Sequence, residues 1–267
     1  MELGIMVLEI CVDSLDSAAI AAKGGADRVE LCSDLLEGGI TPSSGLIQAV
    51  RARVDLDLHV MIRPRGGDSF YTESEFELMA ADIAEAKRLG ADGVVLGLLT
   101  ADGEVDVPRT EMLVRLASPM QVTFHRAVDM TPDTTKACED ILGTGAHRVL
   151  TSGGKQTALM GAQQIAQMVK LADNKIGIMA GSGIDAHSAV KVARTSGVKE
   201  FHASLRKRVM SPVTFQKDGV SMGTPRNAEF VRYQLLEEDV RALRHALDRL
   251  QKGPGRGELR TMVQTHI

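Results

Sequence analysis

Short apolar runs alternate along the chain with longer stretches in which apolar residues recur at helical spacing. Side chains repeat every two residues in a strand and about every 3.6 in a helix, so this alternation predicts strands and helices in turn. A final amphipathic helix is predicted over residues 227–250, after an excursion over 205–226 that fits neither element. The predicted strands are residues 7–12, 27–32, 58–63, 93–97, 121–125, 148–152, 176–180 and 200–204.

A glycine-containing turn recurs before every second predicted strand, at intervals of 65, 55 and 52 residues. The glycines are Gly25, Gly90, Gly145 and Gly197. Each follows a predicted helix, and a helix C-terminus commonly needs a left-handed residue. Eight strand–helix units with this two-unit repeat favour a closed (β/α)8 TIM barrel over an open sheet. We therefore predict a single α/β domain over residues 1–250 and a polar tail over 251–267.

Composition narrows the class of protein. Aromatic residues make up 3% of the chain and Trp is absent, so the core must be aliphatic. The net charge of −4 gives no reason to expect nucleic acid as a partner. No apolar run approaches the roughly 18 residues of a membrane span, and the first residues lack a secretory signal. Three cysteines in such a chain indicate reduced thiols, and we expect a cytoplasmic protein.

Polar residues are concentrated where the predicted strands end. In a TIM barrel these ends meet at one mouth, which is where binding and catalytic residues lie. We interpret this concentration as a site, although ion pairs that hold the mouth together are the alternative. The candidates are Glu9, Cys11, Glu30, Cys32, Arg63, Arg65, His125, Ser152, Gly153, Gly181, Gly183 and His202.

The first two strands each carry a carboxylate and, two residues later, a thiol. The period of two places Glu9 with Cys11 on one face, and Glu30 with Cys32 on one face. Two thiolates on adjacent strands suit Cu(I), a soft ion that accepts sulfur ligands. Cysteine is also a common buried apolar residue, and spacing alone favours that interpretation. Cys138, in the middle of a predicted helix with apolar neighbours, is predicted to be core.

Three residues are candidates for proton transfer. Glu9 and Glu30 are suited to general acid and base roles if their surroundings separate their pKa values. The alternative is that each pairs with an arginine, for which Arg63 is the natural partner. His125 ends the fifth strand on the same face as Thr123 and is the best histidine for this role, although a structural histidine is equally compatible with the sequence.

Other candidates suit an anion such as phosphate or carboxylate. Arg63 and Arg65 lie in a glycine-containing loop, and guanidinium groups bind both anions bidentately. Backbone amides near Ser152 and Gly153, and near Gly181 and Gly183, follow the sixth and seventh strands, where many barrels hold phosphate. His202, at the end of the eighth strand, completes the predicted anion-binding set. Glycine-rich turns and solvated arginines are the structural alternatives.

Several long motifs resemble the copper homeostasis protein CutC family. The resemblance extends over about residues 5–250, and the CVDS sequence after the first strand is closer to the animal members than to the bacterial ones. The motifs are EICVDS at residues 9–14, GGADRVELC at 24–32, MIRPRGGD at 61–68, VTFHRA at 122–127 and VLTSG at 149–153.

The resemblance implies a TIM barrel that handles copper as Cu(I), with Cys11 and Cys32 as the metal ligands. It further implies a homo-oligomer, a dimer or tetramer, in the cytoplasm and in animals also in the nucleus. It makes Cu(I) binding the leading hypothesis. The alternative, from the acid, base and arginine residues, is a lyase, aldolase or isomerase acting on a small anionic substrate. No lysine lies at an inward strand end, which disfavours a Schiff-base aldolase.

Overall fold

Eight parallel strands close into a barrel in chain order, with β1 hydrogen-bonded to both β2 and β8. The computed structural model describes residues 5–217, 219–220 and 229–251. The predicted (β/α)8 barrel is therefore confirmed, and every strand lies within two residues of its predicted bounds. The barrel strands are β1 Val7–Val12, β2 Arg28–Leu31, β3 Asp57–Met61, β4 Gly93–Leu96, β5 Gln121–Phe124, β6 Arg148–Thr151, β7 Gly177–Ala180 and β8 Glu200–Ala203.

Helices surround the barrel and cover its outer face. Two short 3-10 helices, Leu35–Glu37 and Arg126–Met130, lie in the loops after β2 and β5. The α-helices are α1 Leu15–Gly24, α2 Ser44–Arg51, α3 Glu73–Arg88, α4 Val107–Ala117, α5 Thr134–Gly143, α6 Ala162–Ala172, α7 Ser188–Ser196 and α8 Glu237–Gln251. The repeated glycines behave as predicted: Gly25, for example, follows α1 with φ of +91° and bonds back to α1 carbonyls.

The two-residue repeat of β1 separates apolar and polar side chains. Leu8, Ile10 and Val12 belong to the main apolar core, which they share with the helices. Glu9 and Cys11 point into the barrel, as their spacing predicted. Cys138 is fully buried in the main core, again as predicted.

A network of buried charges fills the lower interior of the barrel. Arg28 Nε lies 2.5 Å from Glu9, and its Nη2 lies 3.0 Å from Glu200. Arg148 Nε contacts the same Glu200 oxygen at 2.5 Å. Burial opposes ionisation of Glu9, but Arg28 and the hydrogen bond with His202 outweigh it and lower the pKa of Glu9 well below its usual value. Glu9 and Arg28 thus favour each other's ionised form inside the barrel.

The segment after β8 differs from its prediction. Strands β9 Lys207–Met210 and β10 Val231–Gln234 form an antiparallel ribbon within the region predicted to be irregular or helical. The predicted helix over 227–250 is therefore wrong at its start, because pairing with β9 places Val231 and Tyr233 in a strand. Helix α8 begins at Glu237 instead, where three acidic residues stand in its first turn and complement the helix dipole.

Parts of the predicted excursion and tail lie outside the described residues, namely 218, 221–228 and 252–267. None of the helices in the described part of the chain is long and apolar enough to cross a membrane.

The Glu9–Arg28 pair should contribute more to stability than any exposed pair. In Arg28→Met, Glu9 would remain buried without its cation, and we expect the free energy of unfolding to fall by about 3–5 kcal/mol. Urea denaturation measures this change. Arg88→Met, which breaks the exposed pair with Glu85 on α3, is the control and should change stability little. Equal effects of the two substitutions would contradict a dominant role for the buried network.

Candidate functional site

Cys11 of β1 and Cys32, which directly follows β2, meet inside the barrel. Cys11 Sγ lies 3.9 Å from Cys32 Sγ, and Cys32 Sγ lies 3.4 Å from Glu30 Oε2. The parallel register, which pairs Cys11 with Glu30, creates this proximity. Met61 and Val95 pack against the two cysteines in a small apolar cluster separate from the main core. The sulfur and carboxylate atoms of Cys11, Glu30 and Cys32 all lie within 4.8 Å of one another, which makes them a candidate metal cluster.

The three groups of this cluster influence one another's protonation. The hydrogen bond from Cys32 lowers the pKa of Cys11 to about 5, against the opposing effect of burial. The same hydrogen bond, together with burial, raises the pKa of Cys32 well above its usual value. Burial and the nearby sulfur of Cys11 raise the pKa of Glu30. These opposite pKa shifts favour one thiolate beside one thiol.

His202 of β8 links this cluster to the charge network below it. Its Nδ1 lies 2.7 Å from Glu9 Oε1, and its Nε2 lies 3.9 Å from Glu30 Oε2. Burial opposes protonation of His202, but the charges of Glu30 and Glu9 and the hydrogen bond to Cys11 raise its pKa well above the usual value. Glu9, Glu30 and His202 form a second group of potential metal-ligating atoms within 4.8 Å.

A cavity of about 640 Å³ opens above these groups at the C-terminal mouth of the barrel. Its titratable lining residues are Cys11, Glu30, His125, Asp185 and His202, and its arginines are Arg63, Arg126 and Arg206. Glu9 is fully buried and is not among the residues that line the cavity. Of the three residues predicted to transfer protons, Glu30 and His125 therefore line the cavity. Glu9 does not, and both its oxygens are hydrogen-bonded, one to Arg28 and the other to His202.

Arg63 is not the partner of Glu9 or Glu30, which corrects the ion pairing that the sequence suggested. Its guanidinium group donates instead to the carbonyl oxygens of Glu37, Gly39 and Gly67, at 2.8–2.9 Å. These bonds hold two loops together and orient Arg63 towards the cavity.

Arg65 turns away from Arg63 although the two lie in one loop. It pairs with Glu75 at 2.6 Å and with Asp68 at 3.1 Å, and it does not line the cavity. Its predicted role in anion binding therefore has no support from its position.

His125 faces the barrel interior together with Thr123, as the alternation of β5 predicted. Its Nδ1 accepts a hydrogen bond from the Ala127 amide at 3.1 Å, while its buried Nε2 has no partner among the described residues. Burial and the charge of Arg63 lower the pKa of His125 to about 3, so the ring is neutral at physiological pH.

The loop after β6 binds a carboxylate of the protein itself. Asp129 accepts hydrogen bonds from the amides of Ser152 and Gly154 and from the hydroxyl of Thr151. The predicted anion-binding role of Ser152 and Gly153 is therefore unsupported, because Asp129 accepts the Ser152 amide and the Thr151 hydroxyl oxygen accepts the Gly153 amide.

The loop after β7, which was also predicted to bind an anion, has only one of its two glycines at the cavity. Gly183 lines the cavity with φ of +67°, whereas the Gly181 amide donates to the Thr151 carbonyl within the barrel.

Several interacting residues were not singled out from the sequence. Arg28 stands two residues before Glu30, so the same alternation could have placed it inside the barrel. Asp129 binds the loop after β6 from the 3-10 helix that follows β5, and no periodic pattern marks such a position.

The fold and the mouth together define a class: a (β/α)8 barrel protein with a candidate metal cluster beneath a polar cavity. Comparison with known proteins gives the family. The CutC family model matches residues 6–207. The family protein CutC of Chromobacterium violaceum is 46% identical over 243 residues, which cover 91% of this chain and 98% of that protein. The chain belongs to the CutC family, a copper homeostasis protein family.

Further relatives agree with this assignment. The copper homeostasis protein cutC homolog of Mus musculus is 45% identical over 238 residues, covering 89% of this chain and 87% of the mouse protein. The crystal structure of CutC from Streptococcus agalactiae has a TM-score of 0.71 and 32% identity, covering 75% of this chain and 99% of that one. The expected closeness to animal members is only weakly supported, because the bacterial relative is as similar as the mouse one.

More distant barrels share the fold alone. Thiamine phosphate pyrophosphorylase from Pyrococcus furiosus has a TM-score of 0.55 at 16% identity, and an aldolase called QR15 has 0.56 at 14%. Identity this low carries no information about activity.

Acid should destabilise the protein through its buried histidines. Burial lowers the pKa of His59 and of His125 to about 3, whereas histidines in an unfolded chain have a pKa of about 6.5. The stability these groups contribute is thus complete above about pH 6.5 and is lost as the pH falls towards about 3. Each accounts for roughly 1.4 kcal/mol per pH unit across that window.

His125→Asn removes the contribution of His125 to this pH dependence. The Asn side-chain oxygen can still accept a hydrogen bond from the Ala127 amide. We expect the variant to lower the dependence of unfolding free energy on pH by roughly 1.4 kcal/mol per unit between about pH 6 and pH 4. Urea denaturation at several pH values measures it. His245→Asn, at an exposed position of α8, is the control. If both variants keep the wild-type slope, the buried neutral state of His125 is wrong.

Proposed function

We propose that this protein binds one Cu(I) ion through the sulfur atoms of Cys11 and Cys32, as a cargo or sensor ion in copper homeostasis. The observation that carries the proposal is the 3.9 Å separation of the two sulfurs. Metal–thiolate bonds are about 2.3 Å long, so two sulfurs can share one ion when they lie less than about 4.6 Å apart.

The surroundings of the sulfur pair support a soft, weakly hydrated ion. Cys32 is fully buried and Cys11 is 6% exposed, and the side chains of Met61 and Val95 pack around them. Thiolate and thioether sulfur favour Cu(I) over hard cations such as Mg²⁺ or Ca²⁺. Two thiolates and one carboxylate also fall short of the four protein ligands of a structural zinc site.

The unpartnered oxygen of Glu30 also suits a metal ion bound beside the two sulfurs. Its Oε1 is buried and has no hydrogen-bond partner among the described residues, while Oε2 faces the Cys32 thiol. A buried unpaired acceptor is costly unless another group satisfies it. Glu30 would complete the ligand set or orient Cys32, and Cys11, which lines the cavity, gives the ion access from the mouth. The mouse relative, named as a copper homeostasis protein, is consistent with this role.

Replacing both cysteines should remove Cu(I) binding. In Cys11→Ser with Cys32→Ser, hydroxyl groups replace the soft ligands, and we expect the one-to-one stoichiometry seen with wild type to be lost. A competition titration against a calibrated Cu(I) chelator under anaerobic conditions measures both stoichiometry and affinity.

Cys138→Ala is the matched control for this titration. It removes the third buried thiol, which lies in α5 within the main core, and should leave Cu(I) stoichiometry and affinity unchanged. Unchanged Cu(I) binding by the double variant, with its fold intact by circular dichroism, would overturn the proposal.

A second candidate function is the lyase, aldolase or isomerase that the sequence suggested. One observation favours it: Glu30 and His125 both line the cavity, and each carries a buried polar atom without a partner among the described residues. In this function Glu30 and His125 would exchange protons with a small anionic substrate, and Glu9 would position His202. Self-association into a dimer or tetramer and a cytoplasmic location stay predictions under either function.

A further inference from the structure

We propose that the mouth cavity is a binding site for a small organic anion, held between the guanidinium group of Arg63 and the Nε2–H of His125. Both residues line the cavity, and neither is needed for the sulfur pair beneath it. Binding of the anion is independent of copper. Any chemistry on the anion rests on the second candidate function.

Arg63 supplies a positive charge with no acid in salt-bridge contact among the described residues, although Asp68 lies near enough for the two charges to interact. It forms no salt bridge with any of the described residues, and its three partners are neutral backbone carbonyls. The other two arginines of the cavity differ, since Arg126 lies 2.9 Å from Asp129 and Arg206 lies 3.5 Å from Asp13. An arginine fixed by carbonyls and facing a cavity is suited to a carboxylate or phosphate.

His125 supplies a directed hydrogen-bond donor. Its Nδ1 accepts from the Ala127 amide, so in the neutral ring the proton must be on Nε2. That Nε2–H is buried and has no acceptor among the described residues. Leaving a buried donor unsatisfied costs about 1–3 kcal/mol, and an acceptor oxygen of a ligand would recover this cost.

The backbone under His125 fixes the direction of this donor. A Cβ at Gly97 would lie 2.5 Å from the ring atoms Cε1 and Nδ1, so the imidazole can occupy this place only because residue 97 is glycine. The ring is therefore held between Gly97 and the Ala127 amide, and Nε2 is its one ring nitrogen without a partner among the described residues.

The acidic residues that line the cavity do not oppose the binding of an anion between Arg63 and His125. Asp185 Oδ1 accepts hydrogen bonds from the amides of His187 and Ser188 at the start of α7. Glu30 lies beside the sulfur pair, where its unpartnered Oε1 could contact a hydroxyl group of the ligand. A volume of about 640 Å³ exceeds the needs of a single inorganic ion. The ligand class is thus a small carboxylate or phosphate monoester that also carries a hydroxyl or carbonyl group.

Calorimetric titration of metal-free protein tests the proposal with defined probes. Inorganic phosphate, glycerol phosphate and malate are titrated at constant ionic strength, with chloride as the reference anion. We expect at least one organic probe to bind one-to-one, more tightly than chloride. Preference for glycerol phosphate indicates a phosphate monoester, and preference for malate indicates a hydroxycarboxylate.

Arg63→Gln and Arg65→Gln form a matched pair for this titration. They make the same change of charge in the same loop, but Arg63 faces the cavity and Arg65 pairs with Glu75 outside it. We expect Arg63→Gln to weaken binding of the probe at least tenfold and Arg65→Gln to change it less than twofold. Should Arg63→Gln fail to fold, Arg63→Lys and the nuclear magnetic resonance signal of His125 Nε2–H in wild type, which should shift when the probe binds, give the same information.

Three results would overturn the inference: no probe binds wild type above the chloride level, both glutamine variants weaken binding equally, or the Nε2–H signal of His125 does not move. Cys32→Ser separates this inference from the copper proposal, because Cys32 does not line the cavity: the variant should weaken Cu(I) binding and keep the anion. If the anion binds but is not converted to a product, only the second candidate function, the enzyme, is contradicted.

Discussion

The carboxylate of Glu9 connects the lower and upper parts of the barrel interior. One oxygen lies 2.5 Å from Arg28 and the other 2.7 Å from Nδ1 of His202. Arg28 also pairs with Glu200 in the lower part of the barrel. In the upper part, His202 Nε2 lies 3.9 Å from Glu30, beside the cysteines. Because an unpaired buried charge costs several kcal/mol, each group restricts the position of the next. The side chains that line the mouth, Glu30 and His202 among them, are therefore held from below by the buried pair of Glu9 and Arg28, which does not line the cavity.

Two kinds of chemistry lie at different places in this interior. The sulfur pair is enclosed with Met61 and Val95, an environment for a soft ion. Arg63 and His125 line the cavity at the mouth and suit the hard oxygens of an anion. Membership of the CutC family agrees with the barrel and with a relation to copper. It does not by itself give a mechanism, because a TIM barrel hosts many functions at the same mouth.

Local periodicity explains why much of the structure could be predicted. The two-residue repeat correctly placed Glu9 and Cys11 inside the barrel, and the apolar runs located all eight strands. The helix predicted from residue 227 failed because pairing between distant strands β9 and β10 outweighed local helical spacing. The partners of Glu9 and Arg63 were missed for a related reason. Arg28 lies 19 residues away on another strand, and the carbonyls that hold Arg63 depend on loop geometry.

The central claim is that two cysteine sulfurs share one Cu(I) ion. X-ray absorption spectroscopy at the copper edge, on protein loaded anaerobically with one equivalent of Cu(I), tests it most directly. We expect at least two sulfur neighbours at about 2.3 Å for each copper, and their loss in Cys11→Ser with Cys32→Ser. A copper shell made of nitrogen and oxygen alone, or sulfur neighbours that persist in the double variant, would contradict it.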